Sequence, residues 1–200
     1  MKKFAVFASG NGSNFQVLAE AVNNGLIEGT IELVVCDQPN AFVVQRANEL
    51  HIPVFTFQAK NYPSKADFEK EIINELQQRD VDFIVLAGYM RLVGPTLLEA
   101  YSHRIVNIHP SLLPSFPGKD AVGQALKAGV KITGVTIHFV DEGMDTGPII
   151  AQKAVEITPD DTHETLQGKI QQVEHSLYPQ VVNQMIQQLD RSKKEEEQNK

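Results

Sequence analysis

The sequence predicts an α/β fold: an open, mostly parallel twisted sheet of Rossmann-like type flanked by helices. An antiparallel strand is expected near the C-terminal part, followed by a long kinked C-terminal helix. Three observations lead there. Short apolar runs alternate with segments of helical periodicity over the first hundred residues, the pattern of parallel βαβ units. Two further strand-like runs, Lys131 to Val140 and Ile149 to Ile157, flank an Asp- and Gly-rich turn, as an antiparallel pair does. A final helical pattern holds Pro179 in its interior, where proline removes a backbone donor and clashes one turn back.

Taken in order, Phe4 to Ala8 is an apolar run closed by Ser9-Gly10, a buried strand. Phe15, Leu18, Ala19 and Val22 recur at i, i+3, i+4 and i+7, one face of a helix that Ser13 or Asn14 can cap. Ile31 to Cys36 is β-branched and reads as strand, Ala41 to Leu50 as helix, and Pro53 to Phe57 as a short strand. Ser64 to Arg79 is a helix with Phe68, Ile72 and Leu76 spaced by four. Phe83 to Leu86 is a strand closed by Ala87-Gly88. Pro95 starts a short helix, since proline is tolerated in the first turn. Arg104 to Ile108 is a strand leading into a loop with Pro110, Pro114 and Pro117, and Ala121 to Ala128 is a small helix. The last helix spans about Thr162 to Leu189, with Asp161 and Glu164 spaced as an N-cap and its box partner. Residues 1–190 are expected to form one domain, and 191–200, mixed in charge and without an apolar residue, a frayed tail.

Composition narrows the function classes. The chain has 200 residues, 42% of them hydrophobic, enough for a continuous core. Eighteen Lys and Arg against 25 Asp and Glu leave a formal net charge of −7, the opposite of the basic footprint of a nucleic-acid binder. One cysteine, Cys36, excludes an intramolecular disulfide and a Cys-based structural zinc site. The six histidines contain no H-x-x-x-H pair, so no metal site is expected. No apolar stretch approaches the ~18 residues of a membrane span, and the N-terminal run stops at Ser9, too short for a secretory signal. The expectation is a cytoplasmic protein acting on small molecules, without nucleic acid or membrane.

Ligands of open α/β sheets sit beyond the carboxyl ends of the strands. After the first strand stands Ser9-Gly10-Asn11-Gly12-Ser13-Asn14. It is no Walker A loop, and Phe15 occupies the third glycine position of G-x-G-x-x-G, which disfavours a dinucleotide. A single phosphate on the helix N-terminus fits; so does a plain capped turn. After the later strand stands Asn107-Ile108-His109-Pro110-Ser111-Leu112-Leu113-Pro114. Side chains alternate along a strand, so Asn107 and His109 share a face, as an oxyanion site would need; a turn histidine is the competing reading. Asp145-Thr146-Gly147 resembles the aspartic-protease triplet, but one copy lacks the second carboxylate that chemistry needs. It also fits a carboxylate orienting His109, or an ordinary turn.

Four segments together carry a family resemblance. Gly10-Asn11-Gly12-Ser13-Asn14, Ala87-Gly88-Tyr89-Met90-Arg91, Asn107 to Pro114 and Asp145-Thr146-Gly147-Pro148 occur in the order found in the phosphoribosylglycinamide formyltransferase family, among the formyl-folate transferases. The chain resembles that family from about Lys3 to Leu189. The resemblance implies formyl transfer from 10-formyltetrahydrofolate, as co-substrate, to the amine of glycinamide ribonucleotide in purine synthesis, by a monomer or homodimer without a metal. It implies that Asn107, His109 and Asp145 are catalytic. It implies that Gly12, Ser13 and Asn14 hold the substrate phosphate and Glu174 the ribose hydroxyls. It assigns Lys65, Met90, Arg91, Leu92 and Val93, with Asn107, to the folate. Two positions depart from the family pattern: Lys65 stands where relatives often carry Arg, and Asp120 where many carry His. Lys is a point charge without the bidentate fork of Arg. The alternatives are another formyl-folate enzyme, acting on methionyl-tRNA or hydrolysing the folate, and a non-catalytic phosphate-binding α/β module.

Overall fold

The computed structural model describes residues 1–198, with side chains through residue 189. Seven strands form one sheet in the order β3-β2-β1-β4-β5-β6-β7. These are β1 (Lys2–Ala8), β2 (Gly29–Cys36), β3 (Val54–Thr56), β4 (Phe83–Leu86), β5 (Ile105–His109), β6 (Ile132–Phe139) and β7 (Ile149–Glu156). The first five are parallel, and β6 runs against both of its neighbours. The helices are α1 (Ser13–Asn23), α2 (Phe42–Glu49), α3 (Lys65–Gln77), α4 (Pro95–Ala100), α5 (Ala121–Ala128) and α6 (His163–Gln198).

The central strand explains the two layers. Phe4, Val6 and Ala8 point into a core closed by α1, α2, α5 and α6, while Ala5 and Phe7 point into a second core closed by α3 and α4. β1 is therefore apolar on both faces, as a strand covered on both sides must be. Each buried Phe contributes roughly 1.5–3 kcal/mol relative to an exposed one. From β1 the chain passes to β2 on one side, and after β3 it returns to β4 on the other. The strand order thus reverses between β1 and β4, the crevice where such sheets bind ligands.

α6 lies over this crevice. The buried Tyr178 hydroxyl donates to the Leu86 carbonyl at 2.8 Å, tying the helix to the end of β4. Glu174, one turn earlier, is thereby carried to the crevice. The α6 N-terminus differs from the sequence expectation. Thr162 and Thr165 form the reciprocal cap, Thr165 N–H to Thr162 Oγ1 at 3.2 Å and Thr162 N–H to Thr165 Oγ1 at 2.9 Å. Asp161 instead accepts from Thr158 N–H and from Lys169. The helix continues through Pro179 and on to Gln198, beyond the Leu189 end read from the sequence. Arg, Lys, Glu and Gln after 190 are good helix formers, so the backbone propagates without an apolar face. Residues 199–200 of the expected tail lie outside the described residues.

Candidate active site

Three loops at the carboxyl ends of β1, β4 and β5 surround a cleft of about 650 Å³, within the usual range for small-molecule sites. On the β1 side, Gly12 occupies the N-cap of α1 at φ 77°, and no side chain caps the helix. The expected cap by Ser13 or Asn14 is therefore corrected, because both side chains turn to α6 instead. Ser13 Oγ accepts from Gln171 Nε2 at 2.8 Å, and Asn14 Nδ2 donates to Glu174 Oε2 at 3.1 Å. The first-turn N–H groups of α1 have no intrahelical partners and remain free of side-chain caps. The loop is braced from outside by Val43 N–H to Gly10 O and by Arg46 Nε to Asn11 O. Asn14 Oδ1 is buried without a partner. Burial pushes the Glu174 carboxyl up, and the Asn14 bond opposes this.

Gly12 is constrained twice. Its φ is left-handed, and a Cβ there would lie 2.6 Å from Val43 Cγ2 and 3.0 Å from the Val43 Cα. Gly12→Ala therefore displaces the start of α2 and costs about 1–2 kcal/mol in backbone strain alone. Where this loop holds a phosphate, the expected result by calorimetry is roughly tenfold or greater weakening for a phosphorylated substrate. The constant for a ligand seated on the β4 side of the cleft should stay within about twofold. Equal loss for both ligands would point to general distortion.

On the β4 side, Gly88 at φ 82° turns the chain into Tyr89 to Val93, which lines the cleft. Met90 N–H donates to Ser9 Oγ at 2.9 Å. Met90, Leu92 and Met144 expose apolar side chains at the mouth, a surface suited to a flat heterocycle. Lys65 lies outside the lining, where its Nζ donates to the Leu92 carbonyl at 2.9 Å. Gly12 and Ser13 also lie outside it, adjoining Asn14. Arg91 lines the cleft with its guanidinium 3.6 Å from Asp37 Oδ2 and over the Phe68 ring. A residue missed in the sequence supports this wall. The buried Glu69 accepts from Gly94 N–H at 2.6 Å and from Leu97 N–H at 3.3 Å, capping α4 from another helix. Its position on the apolar face of α3 was the available signal.

The β5 side gathers the polar centre. Asn107 and His109 share a strand face, and both line the cleft. Asp145, at φ 57° in the turn between β6 and β7, puts Oδ2 3.4 Å from His109 Nδ1. The same oxygen accepts from Gly118 N–H at 2.7 Å. His109 Nε2 is 2.9 Å from the Phe116 carbonyl. Both ring nitrogens thus face acceptors, an arrangement only an imidazolium fills with a hydrogen at each. His138 completes the group, directly across the antiparallel pair from Asn107. Its Nε2 is 3.3 Å from Asn107 Nδ2 and 3.7 Å from Asp145 Oδ1. Burial is the main cause that pulls the His138 imidazole below its ordinary value, so its contact with Asp145 is no ion pair at neutral pH. Asp120 stands at the rim with His163 Nε2 2.8 Å from its Oδ1, and it caps α5 through Gly123 N–H. The His163 hydrogen bond, then the Gly123 one, holds this carboxyl below the usual range.

An amide donor and an imidazole with a carboxylate counter-charge converge on one cleft, and the uncapped helix N-terminus adjoins it at Asn14. Such a set can bind an anion at one end and stabilise a developing oxyanion at the other. Among the described residues, no group of three or more His, Cys, Asp or Glu is placed to hold a metal ion, and no helix is long and apolar enough to cross a membrane.

Comparison with known proteins places the chain among relatives. A family model described as formyl transferase matches residues 2–182. The chain is 57% identical over 186 residues to "Phosphoribosylglycinamide formyltransferase" of Bacillus subtilis, covering 93% of this chain and 95% of that one. The protein of the same name from Escherichia coli is 36% identical over 178 residues, with 89% and 84% covered. Among solved structures, glycinamide ribonucleotide transformylase 1 from Geobacillus kaustophilus superposes with a TM-score of 0.91 at 58% identity, covering 92% of this chain and 98% of that one.

Proposed function

The chain belongs to the formyl transferase family, and we propose that its cleft moves the formyl group of 10-formyltetrahydrofolate onto the amine of glycinamide ribonucleotide, in purine synthesis. The observation that carries this reading is the convergence of Asn107, His109 and Asp145 opposite the uncapped α1 N-terminus. One end suits a phosphate and the other an acyl transfer.

In this reading the substrate phosphate sits on the Gly12-Ser13-Asn14 backbone, favoured by the helix dipole. Glu174 accepts from the ribose hydroxyls. The folate lies against Met90 to Val93, with Lys65 acting through the Leu92 carbonyl it holds. The substrate amine attacks the formyl carbon, and the carbonyl electron pair moves to oxygen. Asn107 Nδ2–H and the His109 imidazolium stabilise that oxyanion. To reach it, His109 Nε2–H leaves the Phe116 carbonyl while Nδ1–H stays on Asp145. The adduct collapses with cleavage of the bond from carbon to the folate nitrogen, which takes the His109 proton. The amine proton passes through water, placed by Asp145, back to His109. The donor is already activated, so the step needs no metal. Residues 1–190 form the transferring unit, a cytoplasmic monomer or homodimer that requires neither nucleic acid nor membrane.

Glu174 makes a test of binding against stability. Its folded-state value is raised above 4.5 by burial. The unfolded chain therefore ionises first, and stability falls as pH rises from 4.5 through the folded value. Glu174→Gln removes that loss. The expected result is a higher melting temperature than wild type at pH 7, by scanning fluorimetry without ligand, and no such gain at pH 4. Glycinamide ribonucleotide should bind roughly 10–100-fold more weakly, as the loss of a charged hydrogen bond implies.

The function itself is tested by supplying 10-formyltetrahydrofolate with each of three acceptors and identifying the product by mass. Formylated glycinamide ribonucleotide at a rate far above the others supports the reading. Preferential formylation of methionyl-tRNA, or release of formate to water, would replace it.

A further inference from the structure

The Asn107 side chain poses a problem of orientation. An amide presents two donors on one side and an acceptor on the other, and rotation by half a turn about the last bond exchanges them. Only the donor side can stabilise an oxyanion. Asn107 lines an open cleft, so something must select between the two orientations.

We propose that His138 is the positioning residue that makes this selection, by accepting a hydrogen from Asn107 Nδ2 at its own Nε2. The assignment of hydrogens follows from chemistry. His138 Nδ1 is 2.7 Å from the Phe139 carbonyl oxygen, which can only accept, so Nδ1 carries a hydrogen. Burial, the largest influence on this ring, disfavours a second one, with the charge of His109 acting in the same direction. The Phe139 bond and the carboxylates of Asp145 and Asp141 oppose them without reversing the direction. Nε2 is then a bare lone pair, 3.3 Å from Asn107 Nδ2. A lone pair accepts from an NH₂ group and repels a carbonyl oxygen, so the amide is held with its nitrogen toward His138. One Nδ2 hydrogen is used there, and the second is left for the cleft.

The sheet fixes the pair. Asn107 and His138 are direct partners in the β5–β6 register, and cross-strand partners have Cβ atoms within about 5.5 Å. Two residues earlier on the same face of β6, Thr136 Oγ1 donates to the Ser111 carbonyl and accepts from Leu113 N–H, locking the strand against the loop that follows His109. A one-residue slip would carry His138 to the other face. His138 therefore acts on the reaction through Asn107 without touching the substrate.

This inference rests on the reading of Asn107 as an oxyanion donor, and a double-mutant cycle separates the two. His138→Leu in the wild-type background is expected to lower kcat about 10–100-fold, short of the ~10²–10³-fold that outright loss of an oxyanion donor brings. The dissociation constants of both substrates should change little. In an Asn107→Ala background the same change should alter kcat less than about twofold, because no amide remains to orient. His138→Gln, whose side-chain oxygen restores an acceptor near the Nε2 position, should recover most of the activity. His138→Phe, closer in shape to the ring, replaces Leu if that chain does not fold. Equal losses in both backgrounds, or wild-type kcat in His138→Leu, would overturn the proposal. Unchanged kcat in Asn107→Ala alone would overturn the oxyanion reading beneath it.

Discussion

His109→Ala is expected to lower kcat at least ~10²-fold, the least that loss of a general acid–base group of this kind brings. The dissociation constants of both substrates should stay within about twofold. The split follows from where the ring sits. His109 is buried, its nitrogens bonded to the Phe116 carbonyl and facing Asp145, so it contributes little surface to either ligand before reaction. In the proposed reaction its charge matters when the formyl oxygen becomes an oxyanion and the folate nitrogen needs a proton, and both occur after binding. Stopped-flow single turnovers, with calorimetry for binding, measure the two quantities separately. A variant with near-wild-type turnover would remove His109 from the chemistry. A variant that loses binding and turnover equally would make it a binding residue.

Asp145→Asn should lower kcat by roughly 10²–10⁴-fold, the upper figure being the known cost of such an exchange in a Ser-His-Asp triad. Asp145 Oδ2 serves both His109 Nδ1 at 3.4 Å and Gly118 N–H at 2.7 Å. An amide has one acceptor oxygen. If it keeps the Gly118 bond, the same oxygen stays toward His109 Nδ1 and the NH₂ group takes the place of Oδ1, toward His138 Nε2. The ring then keeps an acceptor at Nδ1, but an imidazolium there loses its counter-charge. Stopped-flow single turnovers, with calorimetry for binding, measure that loss of turnover apart from any change in affinity. Near-isosteric shape keeps substrate affinities within a few-fold. Near-wild-type turnover in the variant would leave the charge of Asp145 without a part in the reaction.

Much of this was legible from residue order. The β1 run, its glycine turn and the 3.6-residue spacing of Phe15, Leu18 and Val22 announce a βα unit, because burial on both faces demands apolar runs and burial on one face demands periodicity. The alternation rule placed Asn107 and His109 together, since strand geometry is local. Other features depend on contacts between distant residues, which local rules do not reach. Asp145 reaches His109 only because β6 and β7 return alongside β5. His138 looks like any strand histidine until the antiparallel register sets it opposite Asn107. The expected caps at Ser13 and at Asp161 failed for one reason: in each case a partner on α6, Gln171 or Lys169, claims the side chain. Glu69 interrupts an apolar helix face because α4, whose N-cap Gly94 has no side chain to offer, takes a carboxylate from elsewhere.

The most direct measurement is a crystal structure with glycinamide ribonucleotide and a 10-formyl folate analogue that cannot release its formyl group. The account predicts the phosphate on the backbone N–H groups of Gly12 to Asn14 and the formyl oxygen within hydrogen-bond range, about 2.7–3.2 Å, of Asn107 Nδ2. It also predicts His109 turned from the Phe116 carbonyl toward the same oxygen, with Asp145 still at its Nδ1. A phosphate bound elsewhere, or a formyl group beyond reach of both Asn107 and His109, would contradict it.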